Sequence, residues 1–176
     1  MTRFLDPKNM EEAISEVGEM ARYAQTRVVL IGGAAMELYG SDRMTMDVDF
    51  ASREHLPELT IVKPLSFGGY AGRSRSGHPV DIIIRCDEYA PLYAEAIDHA
   101  VDVGLPVLVV DPDHLAALKM AAGREKDELD LRTLIRLGVL DQHKTRRIVK
   151  VHLGEYAART LDSLCEEVAW LKSREK

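Results

Sequence analysis

The sequence predicts a mixed α/β (α+β) fold: a small mixed β-sheet flanked by helices, with a helical C-terminal part. Three observations carry this. Residues 27–31 (RVVLI) and 106–110 (PVLVV) are short apolar runs rich in β-branched residues, the texture of buried strands. Residues 46–50 and 80–84 carry acids between apolar residues at period two. Beyond residue 111 the spacing is helical throughout. The chain therefore divides into a core over residues 1–110 and a helical region over 111–176 that packs on it.

Each element follows from local chemistry. Asp6-Pro7 opens a helix, an acid that caps and a proline whose fixed φ suits the first turn. Met10, Ala13, Ile14, Val17, Met20, Ala21 and Ala24 then recur at helical spacing. The strand at 27–31 is broken by Gly32-Gly33, and residues 34–39 (AAMELY) form a short helix closed by Gly40. In the next strand Met46, Val48 and Phe50 face one way and Thr45, Asp47 and Asp49 the other. Residues 58–65 read as a further strand, and residues 68–77 (GGYAGRSRSG) as a hairpin region. Val80, Ile82 and Ile84 share one strand face, with Asp81 on the opposite one. A helix over 88–100 and the strand at 106–110 complete the core. Asp111-Pro112 opens a helix carrying Leu115, Leu118 and Lys119, and Gly123 and Gly138 separate it from its successors. Helices over 125–137, 141–152 and 155–172 follow. Tyr156, Leu161, Leu164, Val168 and Leu171 on the last suit core packing or a homodimer surface.

Composition narrows the classes. With 23 Lys plus Arg against 29 Asp plus Glu, the net charge is −6, which argues against a surface coated in basic charge for DNA. No apolar run approaches the roughly 18 residues that span a bilayer. The charged N-terminus lacks the apolar stretch of a signal peptide. Cys86 and Cys165 form no CxxC, so neither a disulfide scaffold nor a zinc ribbon is expected. A cytoplasmic protein with reduced thiols is the simplest reading.

The chemistry concentrates in residues 30–50, LIGGAAMELYGSDRMTMDVDF. A strand runs into two glycines and a helix, and a second strand presents Asp47 and Asp49 at i and i+2. Glycines allow close approach of backbone to a ligand, and free N–H groups at a helix start attract phosphate. Carboxylates at i and i+2 on a strand lie about 6.5–7 Å apart, a span over which they can share a divalent ion. Asp81 joins them if its strand pairs beside residues 46–50. Three crowded acids repel one another unless a cation sits among them.

The ordered pattern Gly-Gly, helix, Arg-x-Thr-x-Asp-x-Asp resembles the nucleotidyltransferase superfamily that includes polymerase β. GGAAMELYGSDRMTMDVDF is similar to its AbiEii-like, toxin-type branch, as is DHLAALKMAAGREKDELDL at residues 113–131. The resemblance implies that Asp47, Asp49 and Asp81 bind Mg²⁺ (or Mn²⁺) and that Asp81 helps activate an acceptor hydroxyl. It implies that Gly32 and Gly33 hold the triphosphate of a nucleoside triphosphate, with Arg43 and Lys119 neutralising phosphate charge. Thr45 belongs to the same motif, and Asp127 matches the family's later acid. The acceptor would be RNA (a tRNA end above all), a protein or a small molecule. A toxin–antitoxin role would add an antitoxin protein as partner. The alternative is a non-catalytic interaction protein of the same fold.

The residues also carry plainer readings. Gly32-Gly33 alone could be a tight turn, and it is neither GxGxxG nor a P-loop. Lys119 could be a solvated helix lysine, and Asp127 and Asp130 exposed charges paired with Lys126 or Arg132. No histidine pair has HxxxH or HExxH spacing, so zinc hydrolysis is not expected. Residues 143–150 (HKTRRIVK) hold the only basic cluster, a candidate contact for RNA phosphates or the solvated face of a helix.

Overall fold

The computed structural model describes residues 5–175. It contains α1 (Pro7–Tyr23), β1 (Val28–Leu30), α2 (Gly32–Leu38), β2 (Val48–Ser52), β3 (Thr60–Pro64), β4 (Gly69–Arg73), β5 (Pro79–Ile83), α3 (Ala90–Asp98), β6 (Leu108–Val109), α4 (Pro112–Ala122), α5 (Glu125–Leu137) and α6 (Gln142–Arg174). One sheet orders the strands β3-β4-β5-β2-β1-β6. It is mixed: β2 runs parallel to β5 and β1 parallel to β6, and the remaining pairs are antiparallel. The mixed α/β class read from the sequence is therefore the observed one.

The punctuation residues act as expected. The Asp6 carboxylate accepts from the Asn9 N–H at 2.9 Å and caps α1. Asp111 caps α4 by accepting from the N–H groups of Asp113 and His114 at 2.9 and 3.0 Å. Gly123 and Gly138 end α4 and α5 in the left-handed conformation. At Gly154 the backbone of α6 leaves helical geometry (φ 90°, ψ 172°), so the expected division between 152 and 155 is real.

One strand boundary differs. Met46 lies outside β2 and is exposed, whereas Thr45, expected on the acidic face, is buried. Apolar alternation at Met46 does not extend the strand because the Thr45 carbonyl is engaged elsewhere, accepting from the Leu5 N–H at 2.9 Å. Strand β3 is exposed along its whole length, including Ile61 and Val62.

The core is continuous from α1 to α6. Val29, Leu30, Val48, Phe50, Val80 and Ile82 from the sheet join Val17 and Met20 of α1. Leu115 of α4, Leu134 of α5 and Ile148 and Leu161 of α6 belong to the same cluster. Helices α4, α5 and α6 pack on one another, and α3 bridges β2 to α4 and α6. No helix among the described residues is long and apolar enough to cross a membrane. Phe50 is fully buried on β2, next to Asp49 in sequence. Phe50→Ala is expected to cost about 3–5 kcal/mol, read as a lower urea midpoint.

Candidate active site

The parallel register of β2 and β5 sets Asp49 directly opposite Asp81, and Val48 opposite Val80. Asp47 sits just before β2. One carboxylate oxygen from each of Asp47, Asp49 and Asp81 lies within 4.8 Å of the others. All three are half-buried. Their donors are oxygen only, the set that suits Mg²⁺ or Mn²⁺.

The two glycines prove to be spacing devices. A Cβ on Gly32 would come within 2.0 Å of Asp49 Oδ2, and its φ of 66° already disfavours other residues. A Cβ on Gly33 would meet Thr45 Oγ1 at 2.8 Å. The Thr45 hydroxyl donates to the Asp47 carbonyl at 2.9 Å. Gly33 and Thr45 thus fix the loop that delivers Asp47, while Gly32 leaves room for Asp49.

The acids open into a cleft of about 370 Å³ between the sheet and α3, α4 and the start of α5. Gly32, Asp47, Asp49, Asp81, Lys119 and Asp127 line it, together with Phe67, Arg85, Tyr93, Arg124 and Lys126. Its helical wall is held by buried charge. Lys119 Nζ lies 2.5 Å from Asp130 Oδ2 and 3.4 Å from Asp127 Oδ1. Arg43 Nη1 meets the same Asp130 oxygen at 2.6 Å, and Arg124 Nε reaches Asp127 Oδ2 at 2.6 Å. Asp127, Asp130 and Lys119 are each almost fully buried. Each has charged partners, as buried charges require.

The electrostatics at the acids are distinctive. Burial, followed by the charges of Asp47 and Asp81, pushes the Asp49 carboxyl up to about 7. Burial and then Asp47 raise Asp81 as well. Burial pushes the Tyr93 phenol on the opposite wall up to about 12. By contrast Asp127 is held below the usual range: burial opposes this, but Arg124 and Lys119 outweigh it. The cleft therefore pairs an uncompensated acidic floor with a compensated helical wall.

The fold has solved relatives. An antigenic nucleotidyltransferase-like protein from Paracoccidioides brasiliensis matches 93% of this chain and 95% of its own length, with TM-score 0.52 and 16% identity. The antibiotic-resistance factor ANT(2'')-Ia, solved in solution, is 14% identical over 97% of this chain and 98% of its own, with TM-score 0.49. The chain shares the fold of the first of these, described as nucleotidyltransferase-like. No protein-family model matches the sequence, and no curated protein matches it.

Within this fold, Asp47, Asp49, Asp81, Gly32, Lys119 and Asp127 converge on one cleft. Arg43, Gly33 and Thr45 stand behind it, Arg43 turned onto Asp130. The reading of Lys119, Asp127 and Asp130 as solvated helix charges fails: they are buried and paired with one another, and Arg43 and Arg124 complete the charge balance. Sequence reasoning missed Arg85, Arg124 and Lys126. Arg85 faces the rings of Phe67, Tyr89 and Tyr93 at 5.0–5.3 Å. Lys126 has no carboxylate partner among the described residues, and its charge reaches Asp49. Arg124 and Lys126 follow Gly123, and that helix break was the available signal. The basic cluster at 143–150 is largely neutralised: Lys144 pairs with Asp111 and Asp113, Arg146 with Asp162 and Glu155, and Lys150 with Glu155.

Two outcomes follow from these charges. The ordinary Asp pKa is 3.8, and Asp49 stands near 7 when folded. Between these values the native state holds a proton that the unfolded state has released. Metal-free protein should therefore lose stability as pH rises from about 4 to about 7, by roughly 4 kcal/mol as an upper bound. Asp49→Asn should flatten this slope and leave the chelator-treated protein more stable than wild type at pH 8, by about 1–3 kcal/mol in urea titrations. Lys119→Met should cost about 3–5 kcal/mol, because it strands buried Asp127 and Asp130 with fewer cations.

Proposed function

We propose that this chain is a metal-dependent nucleotidyltransferase that moves a nucleoside monophosphate from a nucleoside triphosphate to an acceptor hydroxyl. The observation that carries this is the pairing of Asp49 with Asp81 beside Asp47, at the floor of a cleft whose rim carries Arg124 and Lys126. Such crowding raises the Asp49 pKa and offers no structural gain without a cation. Mg²⁺ or Mn²⁺ held by Asp47, Asp49 and Asp81 supplies neutralisation of charge on the attacked phosphate and on the leaving pyrophosphate.

The chain's own groups do the rest. Gly32 gives the triphosphate close access to the floor. Lys126 and Arg124, joined by Lys119 from behind, face its negative charge. Phe67 offers an aromatic surface for the base. Asp81 takes the proton of the acceptor hydroxyl. The hydroxyl oxygen forms a bond to the α-phosphorus, the bond to the bridging oxygen breaks, and pyrophosphate departs. We assign residues 1–110 the nucleotide-handling core and 111–176 the wall that completes the cleft.

The two segments that resemble the AbiEii-like branch meet in this cleft, Asp47 and Asp49 from one, Lys119 and Asp127 from the other. That convergence supports placement on the branch. The setting we assign with it is cytoplasmic, in a toxin–antitoxin pair, with an RNA end as acceptor and an antitoxin protein as partner. A protein or small-molecule hydroxyl would use the same site.

The test is label transfer. The full chain is incubated with Mg²⁺, each α-labelled nucleoside triphosphate in turn and mixed cellular RNA, beside Asp47→Ala/Asp49→Ala. Metal-dependent labelling of RNA is expected, with a loss of at least about 10³-fold in the variant. Label on the protein itself would redirect the acceptor. If neither transfer nor Mg²⁺-dependent nucleotide binding occurs, the chain is a non-catalytic interaction protein of this fold.

A further inference from the structure

A second cluster of donor atoms lies where α3, α4 and α6 meet. Glu95 and His99 sit one turn apart along α3 and its cap, and His114 lies on α4. One ligand atom from each lies within 4.8 Å of the others. None of the three lines the cleft.

His114 is the decisive residue. Its ring is fully buried, and Nε2 has no hydrogen-bond partner among the described residues. Its Nδ1 lies 2.6 Å from Asp111 Oδ2. The Asp111 carboxylate also accepts from the backbone N–H groups of Asp113 and His114, so Nδ1 donates to it and Nε2 is the ring nitrogen left open to a ligand bond. A buried ring nitrogen without a partner costs free energy and calls for an explanation.

The neighbours supply one. Glu95 Oε1 lies 3.4 Å from His114 Nε2. Two ligands bound at 2.0–2.1 Å on a tetrahedral ion stand about 3.3–3.4 Å apart, so this is the edge such an ion would span. The other oxygen of Glu95 faces His152 Nε2 of α6 at 2.5 Å, which fixes the carboxylate's orientation. His99 stacks beside His114, with ring centroids 5.3 Å apart. Its Nδ1 donates to the Glu95 backbone carbonyl at 3.0 Å, so its Nε2 is likewise the nitrogen left open to a ligand bond. Every donor thus has an orienting partner behind it: Asp111, the Glu95 carbonyl and His152. Metal-binding imidazoles and carboxylates are held in this way.

We propose that His114, His99 and Glu95 form a Zn²⁺ site that ties α3 to α4, with His152 orienting Glu95. Two imidazoles and a carboxylate are borderline donors that suit Zn²⁺ rather than the oxygen-seeking ion of the acidic cleft. Its place between helices, behind the wall that carries Lys119, gives the ion a structural role.

The test uses the full chain stripped of metal with chelator. Zn²⁺ is titrated by calorimetry, and Co²⁺ by its visible absorption, with excess Mg²⁺ present to occupy the acidic cleft. One equivalent of Zn²⁺ is expected to bind, to give a Co²⁺ spectrum of tetrahedral type and to raise the melting temperature. Asp47→Asn/Asp49→Asn should retain all three effects. His99→Ala and Glu95→Gln should weaken Zn²⁺ binding by at least about tenfold. His99 is exposed, so its variant should melt like wild type in chelator. The site is overturned if wild type binds no Zn²⁺, if the cleft double variant loses the binding, or if His99→Ala and Glu95→Gln bind as wild type.

Discussion

The parallel pairing of β2 with β5 is the constraint on which this molecule turns. It sets two carboxylates opposite each other in register, with a third at the strand's entry. Everything local accommodates that crowding. Gly32 has no side chain because Asp49 occupies the space one would need. Thr45 is buried against Gly33 because the loop ahead of β2 must hold Asp47 in place. A fold selected only for stability would replace at least one of these acids, since like charges in a half-buried cleft oppose folding.

The opposite wall shows the same economy with the signs balanced. Asp130 is shared between Lys119 of α4 and Arg43, which lies on the connection from α2 to β2. Asp127 is shared between Lys119 and Arg124. These contacts join the helical half of the chain to the segment that leads into the acidic strand. Removing any one partner leaves a buried charge with fewer counter-charges.

Much of this was legible in the sequence. Caps at Asp6 and Asp111, breaks at Gly123 and Gly138 and the acids at 47, 49 and 81 each announce themselves locally. Period-two alternation gave Asp81 its face but could not give its partner strand. Met46 misled because alternation continues past the point where the Thr45 backbone is captured by Leu5. Lys119, Asp127 and Asp130 look like solvated helix charges, but they pair across two helices, and Asp130 also takes Arg43, nearly ninety positions away. The histidines defeated pattern search for a similar reason. Glu95 and His99 are one turn apart, but their complements come from α4 and α6, so no single helix carries the set.

The outer edge of the sheet carries a different consequence. Strand β3 shows solvent both Ile61 and Val62, on an edge that no other strand among the described residues covers. Such an edge could template intermolecular β-pairing and seed aggregation. Here the register shifts between Ile61 and Lys63, Lys63 places a charge on the strand, and Pro64 removes an amide donor at its end. At the other extreme β6 is only two residues long. Both margins of the sheet thus carry features that discourage addition of a further strand, although β3 is exposed along its whole length.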